Sequence, residues 1–489
     1  MRTCVLWMED SPRLRNSLVG QCALDRVKPI TIGRACYVVF VFLLTASAVC
    51  RAKQAELPAA QTPQLEPCGM FSDLRVPALL VPGSEPTAIR IMSSRYRDLR
   101  QAKDGYDRTG VGLVAFDGTT FVPAGFSDDP GMYYYILLIS RAFHLSLARS
   151  ISVFFVTVLV LSAAVGFSGL LLVLRGWPSR IFGIATLSGL TFVAYRLGDI
   201  YLFEFAVPVA VIPWIVWQVW RRTHDWHTNV LLVVVGVVIG LGLTVRTVAG
   251  VPALLFVLVL VTTQFKVGTG RKVISTCLLL AGVLCPVVYL HHVESERNAF
   301  LLTRTATRAD DLSRHAFWHF AYIGLGFVNN PYVPGGVCDE VGKAKVRAIS
   351  PEVPYLSGLY DGMLRHEVLA IAADHLSFVF LTIAAKLGVV VVIIAVFGSV
   401  GLVAVLFRPV NKSVCATFWP ALLASGLPVV MVAPSPQYLV SLITFASMCS
   451  VFCFDEALQP VLAYTPKAVE PVHTKYLTWW SSVKDGPSV

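Results

Sequence analysis

The sequence predicts an all-α integral membrane protein that crosses the bilayer about ten times and holds two large loops on the extracytoplasmic side. Three observations carry this expectation. Of the 489 residues, 55% are hydrophobic and 14% are charged, whereas a soluble domain carries roughly 25% charged residues. Apolar runs recur along the whole chain, several of them shorter than the roughly 20 residues that a bilayer core demands. The net charge of +10 gathers in short stretches between these runs, the positive-inside bias of a membrane protein. No soluble segment carries a basic patch large enough to dock a duplex, so nucleic acid is not an expected partner.

Residues 1–33 read as a cytoplasmic N-terminal segment, 34–455 as a polytopic transmembrane domain and 456–489 as a cytoplasmic tail. The first apolar run, Tyr37–Val49, follows Arg13, Arg15, Arg26, Lys28 and Arg34, and with Ile30–Ile32 it is long enough to span. A cleavable signal peptide is the alternative, because Ala46-Ser47-Ala48 resembles a small-residue cleavage site. The long basic leader favours a retained anchor. Residues 51–148, rich in Pro, Gly and charge, form the first outer loop.

The further spans are Ile151–Leu174, Ile181–Ala194, Phe205–Trp220, Val230–Val245, Val251–Thr263, Val273–Leu290, Phe378–Phe407, Phe418–Val432 and Tyr438–Phe454. Alternation from a cytoplasmic start places Arg175 and Arg180, Arg221 and Arg222, Lys266 with Arg271 and Lys272, and Arg408 with Lys412 inside. Short loops are where the charge rule counts. Trp177, Trp214, Trp217, Trp220 and Trp226 sit near span ends, as interfacial anchors do. The second outer loop is 291–377, and loops this long are usually functional. The 11 cysteines show no metal-ligand spacing; Cys68 and Cys338 fall one in each outer loop, and their pairing cannot be read from sequence.

The first loop ends in Ser127-Asp128-Asp129-Pro130-Gly131-Met132-Tyr133-Tyr134-Tyr135. Asp129 before Pro130 reads as an N-cap followed by proline in the first helical turn. Asp128 has no such duty. A carboxylate there could take a proton from an acceptor hydroxyl or hold a divalent cation, and the spacing leaves structural and chemical readings both open.

One span, a long outer loop with an acidic pair before a Tyr-rich stretch, then many spans: this layout resembles the GT-C glycosyltransferases, from protein mannosyltransferases to lipid A aminoarabinose transferases. The resemblance implies a polyprenyl- or dolichyl-phosphate-linked sugar as donor, an inverting transfer, and an Asp of the first outer loop as catalytic base. Members often carry Asp-Glu where this chain has Asp128-Asp129, which leaves open which residue matches the base. The cap argument puts Asp128 first and Asp129 second. The acceptor implied is a hydroxyl of a glycan, lipid or protein, and Mg or Mn is the cofactor the acidic pair could hold. A bacterial inner (plasma) membrane, with the site facing outward, is the expected location.

The second loop contains His315-Ala316-Phe317-Trp318-His319-Phe320 and continues to Tyr332. Histidines four apart could share a helix face, but no third ligand at zinc spacing accompanies them. His315, Trp318, His319 and Tyr332, with Tyr133, suit a sugar or acceptor platform; an interfacial re-entrant helix is the plainer alternative. Arg246 ends a span at the outer face, and Lys386 lies inside the span beginning near Phe378. Burying such charges costs on the order of 3 kcal/mol on insertion scales, so both are candidates for the donor phosphate, with snorkelling as the alternative. Arg196, Asp199, Glu204 and Tyr201 read as charges paired among themselves in a short outer turn. Tyr438, after Pro434-Ser435-Pro436, is a further candidate because the same resemblance implies ligand contacts in a late outer turn.

Neither a Walker A motif nor a dinucleotide fingerprint is present, so a transferase donor would have to arrive in the membrane. A transporter or flippase of lipid-linked solutes is the alternative from another class; it predicts ionisable residues near the bilayer midplane. A glycan ligase or polymerase shares the transferase design.

Overall fold

Fifteen helices and one two-stranded hairpin make up the described residues, which in this computed structural model are 87–124, 130–221, 226–305, 312, 317–334, 336–407 and 412–464. The chain divides into two units, Met1–Gln64 and Leu65–Val489, and every described residue belongs to the second. The first apolar run, Asp128, Asp129 and His315 lie outside the described residues.

In chain order the elements are α1 (Ser93–Thr109), β1 (Val114–Phe116), β2 (Phe121–Pro123), α2 (Gly131–Ala142), α3 (Leu147–Val173), α4 (Trp177–Leu197), α5 (Leu202–Arg221), α6 (Trp226–Val245), α7 (Thr247–Gln264) and α8 (Thr269–Arg304). Then come α9 (Phe317–Leu325), α10 (Asp339–Ile349), α11 (Gly358–Asp374), α12 (Leu376–Phe397), α13 (Ser399–Phe407), α14 (Lys412–Met431) and α15 (Pro436–Tyr464). The strands pair antiparallel, Ala115 opposite Val122.

Seven of these helices are long and apolar enough to cross a membrane: α3, α5, α6, α7, α8, α12 and residues Pro436–Leu458 of α15. The apolar stretch Ala416–Met431 of α14 is shorter. The chain is a multi-pass membrane protein. Three expected spans differ from the sequence reading, Phe418–Val432 among them because its helix is apolar only over the shorter stretch Ala416–Met431. Ile181–Ala194 lies inside α4, a helix that is not among the seven; Thr186, Ser188 and Thr191 dilute its apolar content between Arg180 and Arg196. Phe378–Phe407 is two helices, α12 and α13, meeting at Gly398.

The second long loop is largely helical. With 36 residues, α8 continues unbroken to Arg304, a rise of about 54 Å against a hydrocarbon core of about 30 Å. Its projecting end meets the hairpin, where Leu301 packs with Val114 and the Phe300 ring meets Phe121 edge-on at 5.8 Å. Helices α9, α10 and α11 share a small core of their own, including Tyr322, Leu325, Val341, Val346, Tyr360 and Leu364. Cys338, just before α10, is disulfide-bonded, whereas Cys68 lies outside the described residues. Cys277, Cys285, Cys449 and Cys453 are not in disulfides.

Within the bundle α6 and α8 approach backbone to backbone. A Cβ on Gly236 would lie 2.3 Å from the Leu279 carbonyl oxygen, and one on Gly282 2.4 Å from that of Val233. Small residues at such crossings let dispersion forces act over the whole contact, which in lipid replaces the hydrophobic drive. Replacing Gly236 by Val should therefore separate α6 from α8 and destabilise the protein by about 1–3 kcal/mol. Gly189→Val, in open space on α4, should leave thermal unfolding in detergent close to wild type; equal melting of the two variants would contradict the packing argument.

Candidate functional site

Four of the buried charged side chains, Arg95, Asp199, Glu204 and Arg246, form two ion pairs near one another. The turn between α4 and α5 holds Asp199 in the left-handed region at φ 56, a conformation that Asp tolerates better than most residues. Its carboxylate accepts from Arg95 Nη1 at 2.6 Å and from the Met92 N–H at 3.2 Å through Oδ2, and from the Ile200 N–H at 2.8 Å through Oδ1. Arg95 reaches it from α1. In the first turn of α5, fully buried Glu204 pairs through Oε1 with Nε of Arg246, and its Oε2 accepts from the Ser441 N–H of α15 at 3.3 Å.

Between the two ion pairs stands Tyr201. The Arg246 guanidinium lies 4.5 Å and that of Arg95 5.5 Å from its ring centroid. Tyr438 meets Tyr201 edge-on at 6.3 Å and also faces Arg246, at 5.5 Å. Cation–π contact is worth most when the cation is desolvated, and both arginines are buried. Asp199 and Glu204 therefore pair with arginines from other elements, not with Arg196 of their own turn, which is exposed. The sequence reading had paired them locally. Arg95 carried no signal, because it is one of several basic residues in the charged run 93–109.

The N-terminal end of α2 rests on this cluster. A Cβ on Gly131 would lie 2.5 Å from the Thr244 carbonyl oxygen, and Tyr135 hydrogen-bonds Thr244 Oγ1 at 3.0 Å. Thr244 is two residues before Arg246. Asp129 and Asp128 lie outside the described residues. Tyr133 is buried in the main core.

Lys386 lies ten residues into α12, buried, and donates to the carbonyls of Val430 at 2.9 Å and Met431 at 3.4 Å. An ammonium at the C-terminal end of α14 meets the carbonyls that a helix leaves without partners. The buried hydroxyls of Thr382, one turn before Lys386, and of Ser435, in the turn that follows α14, have no hydrogen-bond partner among the described residues.

The aromatic segment of α9 divides. His319 is buried between Tyr360, whose hydroxyl is 2.9 Å from Nδ1, and Asp339, whose Oδ1 is 3.2 Å from Nε2. The Trp318 N–H donates to Asp361 Oδ1 at 3.0 Å, and Arg365 sits 5.9 Å from the indole ring. Tyr332 stacks on His375 at 4.1 Å. Burial, then the charges of Asp339, Glu340 and Asp361, push the Tyr360 hydroxyl up. Crowding by protein works to raise the Asp339 carboxyl, but the His319 hydrogen bond and the charges of His319, Lys343 and Arg95 outweigh it and hold the group below its ordinary value. Among the described residues no group of three or more His, Cys, Asp or Glu is placed to hold a metal ion.

Removing one partner of a buried pair leaves an uncompensated charge, so Glu204→Ala should cost about 3–5 kcal/mol. The double variant Glu204→Gln, Arg246→Met should recover much of that in denaturant titrations; no recovery would argue against a coupled pair. A depressed Asp339 contributes stability above the ordinary carboxylate pKa of about 4 and loses it as pH falls through the lower folded value. Hydrogen-exchange protection factors, corrected for the intrinsic rate at each pH, should fall in acid for residues 317–325, and Asp339→Asn should lower them at neutral pH and flatten the pH dependence.

Comparison of the chain with protein-family models, with curated proteins and with solved structures finds no match.

Proposed function

We propose that the protein is a membrane glycosyltransferase that moves a sugar from a polyprenyl-phosphate donor to a hydroxyl acceptor. The observation that carries this reading is the seating of α2. Gly131 packs against Thr244, two residues before Arg246, and the Arg246 guanidinium faces the rings of Tyr201 and Tyr438. A cation and an aromatic wall are parts that glycosyl transfer from a lipid phosphate requires, and the acidic pair that precedes α2 in the sequence is the base this reading adds.

In this reading Asp128, with Asp129 as second choice, takes the acceptor hydroxyl proton. The acceptor oxygen attacks the anomeric carbon, whose bond to the phosphate oxygen breaks, and the lipid phosphate leaves with the electron pair and inverted configuration results. Arg246 is the donor-side cation that offsets the charge developing on the phosphate. Lys386 holds the turn between α14 and α15 through the Val430 and Met431 carbonyls, and the buried hydroxyls of Thr382 and Ser435 are groups that a bound headgroup would satisfy. Trp318 and Tyr332 shape the sugar and acceptor side, with His315 on the same segment as Trp318, while Tyr133 and His319 are buried within the protein; a Mg or Mn ion, if used, would be held by the acidic pair.

The orientation follows from charge. Arg175, Arg180, Arg221, Lys266, Arg271 and Lys272 lie at the bundle end opposite α2, so the positive-inside rule puts α2 outside, and the disulfide at Cys338 fits an oxidising compartment. The transporter alternative draws on Lys386, a charge buried within a span. Its two helix-end carbonyl partners give that charge a structural duty, which favours the transferase.

Purified protein incubated with polyprenyl-phosphate monosaccharides, and separately with diphosphate-linked oligosaccharides, distinguishes the readings. Transfer from the first alone is expected; use of the second alone would point to a ligase, and transport without transfer to a flippase. Asp128→Asn should abolish transfer while expression and insertion stay intact, and near-normal transfer in that variant would remove Asp128 from the role of base.

A further inference from the structure

The C-terminal end of α2 borders a cavity of about 300 Å3 that the reading above does not use. It opens between α1 and α2, and its polar walls are Lys103, Tyr106 and Asp107 from α1 with Ser140, Arg141 and His144 from α2 and the turn after it. Arg141 lies ten residues beyond Gly131, about 15 Å along the helix, so this cavity is separate from the cluster around Arg246.

Its basic groups have no helix to cap. The carbonyls that end α2 already accept backbone N–H groups: Ile139 from Phe143 at 3.1 Å, Arg141 from His144 at 3.3 Å and Ser140 from Leu145 at 3.0 Å. The Arg141 guanidinium is held 4.6 Å from the centre of the Tyr106 ring, which fixes its plane without neutralising it. Lys103 pairs with Asp107, one turn along α1. Two cations against one carboxylate leave the walls with an excess of positive charge.

The surroundings say where a ligand would come from. Span α3 begins at Leu147, two residues after Leu145, so the cavity mouth lies where the first described span meets the polar outer helices. Phe143 is 66% and Leu138 40% exposed beside it, while Met132, Tyr133, Ile136 and Leu137 of the same helix are buried. A helix with one face in the protein core and large apolar side chains beside a basic cleft suits the headgroup level of a bilayer. A guanidinium fork and an ammonium at that level match a phosphate ester.

We propose that this cavity binds a phosphate ester at the membrane surface, through Arg141 and Lys103. An anionic lipid headgroup and a water-soluble phosphate ester share this chemistry. The site does not depend on the transferase reading, since none of its residues takes part in that reaction.

The test uses full-length protein. Retention of fluorescent phosphatidylglycerol is measured in phosphatidylcholine nanodiscs, and binding of glycerol 3-phosphate is measured in detergent. The double variant Lys103→Gln, Arg141→Gln should lower binding in the responding arm by about fivefold or more. Arg149→Gln, an exposed cation outside the cavity, should not. Dependence in the nanodisc arm alone identifies a lipid site, and dependence in both a site for phosphate esters generally. Arg141→Gln alone, checked by thermal melting, covers the case in which the double variant folds poorly. Wild-type binding by correctly folded variants in both arms overturns the proposal.

Discussion

The buried pair of Glu204 with Arg246 is the constraint on which the loop-rich end of the bundle depends. A fully buried carboxylate in the first turn of α5 is tolerated only with a partner and further hydrogen bonds. The partner comes from the joint between α6 and α7 and the additional N–H from α15. Three regions far apart in sequence are thereby fixed at one point, and Tyr201 extends the cluster to Arg95 and hence to α1. Helix α1 is tied to the bundle through an aromatic ring that both guanidinium groups approach.

From that fixed point the rest of the end follows. Thr244, two residues before Arg246, receives the start of α2, so the position of the ion pair bears on where α2 begins. Tyr438 touches the same guanidinium and belongs also to the apolar surroundings of α9 to α11. The turn that carries it is anchored on its other side by Lys386. The small core of α9 to α11, the Arg246 cluster and the end of α14 are therefore successive contacts along one short segment, residues 430–441, and not independent sites.

Most of the transmembrane layout was legible because hydropathy is read directly from side chains: Phe205–Trp220, Val230–Val245 and Val251–Thr263 each fall inside a helix with these limits slightly extended. The break at Gly398 was not legible, since an apolar run looks the same whether it is one helix or two. The second outer loop looked irregular because the buried positions of α9 to α11 face a small local core, and no single long period marks it. Arg246 and Lys386 stood out as charges at odds with lipid. Their partners did not: Glu204 looked like an ordinary span-end acid, and the partners of Lys386 are main-chain carbonyls, which leave no trace in a sequence. Arg95 was hidden among equivalent neighbours, and His319 drew attention as one of two histidines four apart, whereas its ring lies between Tyr360 and Asp339.

The long separation between Glu204 and Arg246 also bears on biogenesis. Glu204 leaves the ribosome 42 residues ahead of its partner, and Ser441 follows 237 residues after it. A lone carboxylate released into lipid costs on the order of 3 kcal/mol on insertion scales. The helix that carries it therefore gains from staying in the translocation machinery, or at its wet boundary, until α6 has been made. The charge that organises the finished bundle thus sets a sequence of events for insertion: α5 and α6 enter the bilayer as a neutralised hairpin, and α15 closes the cluster last.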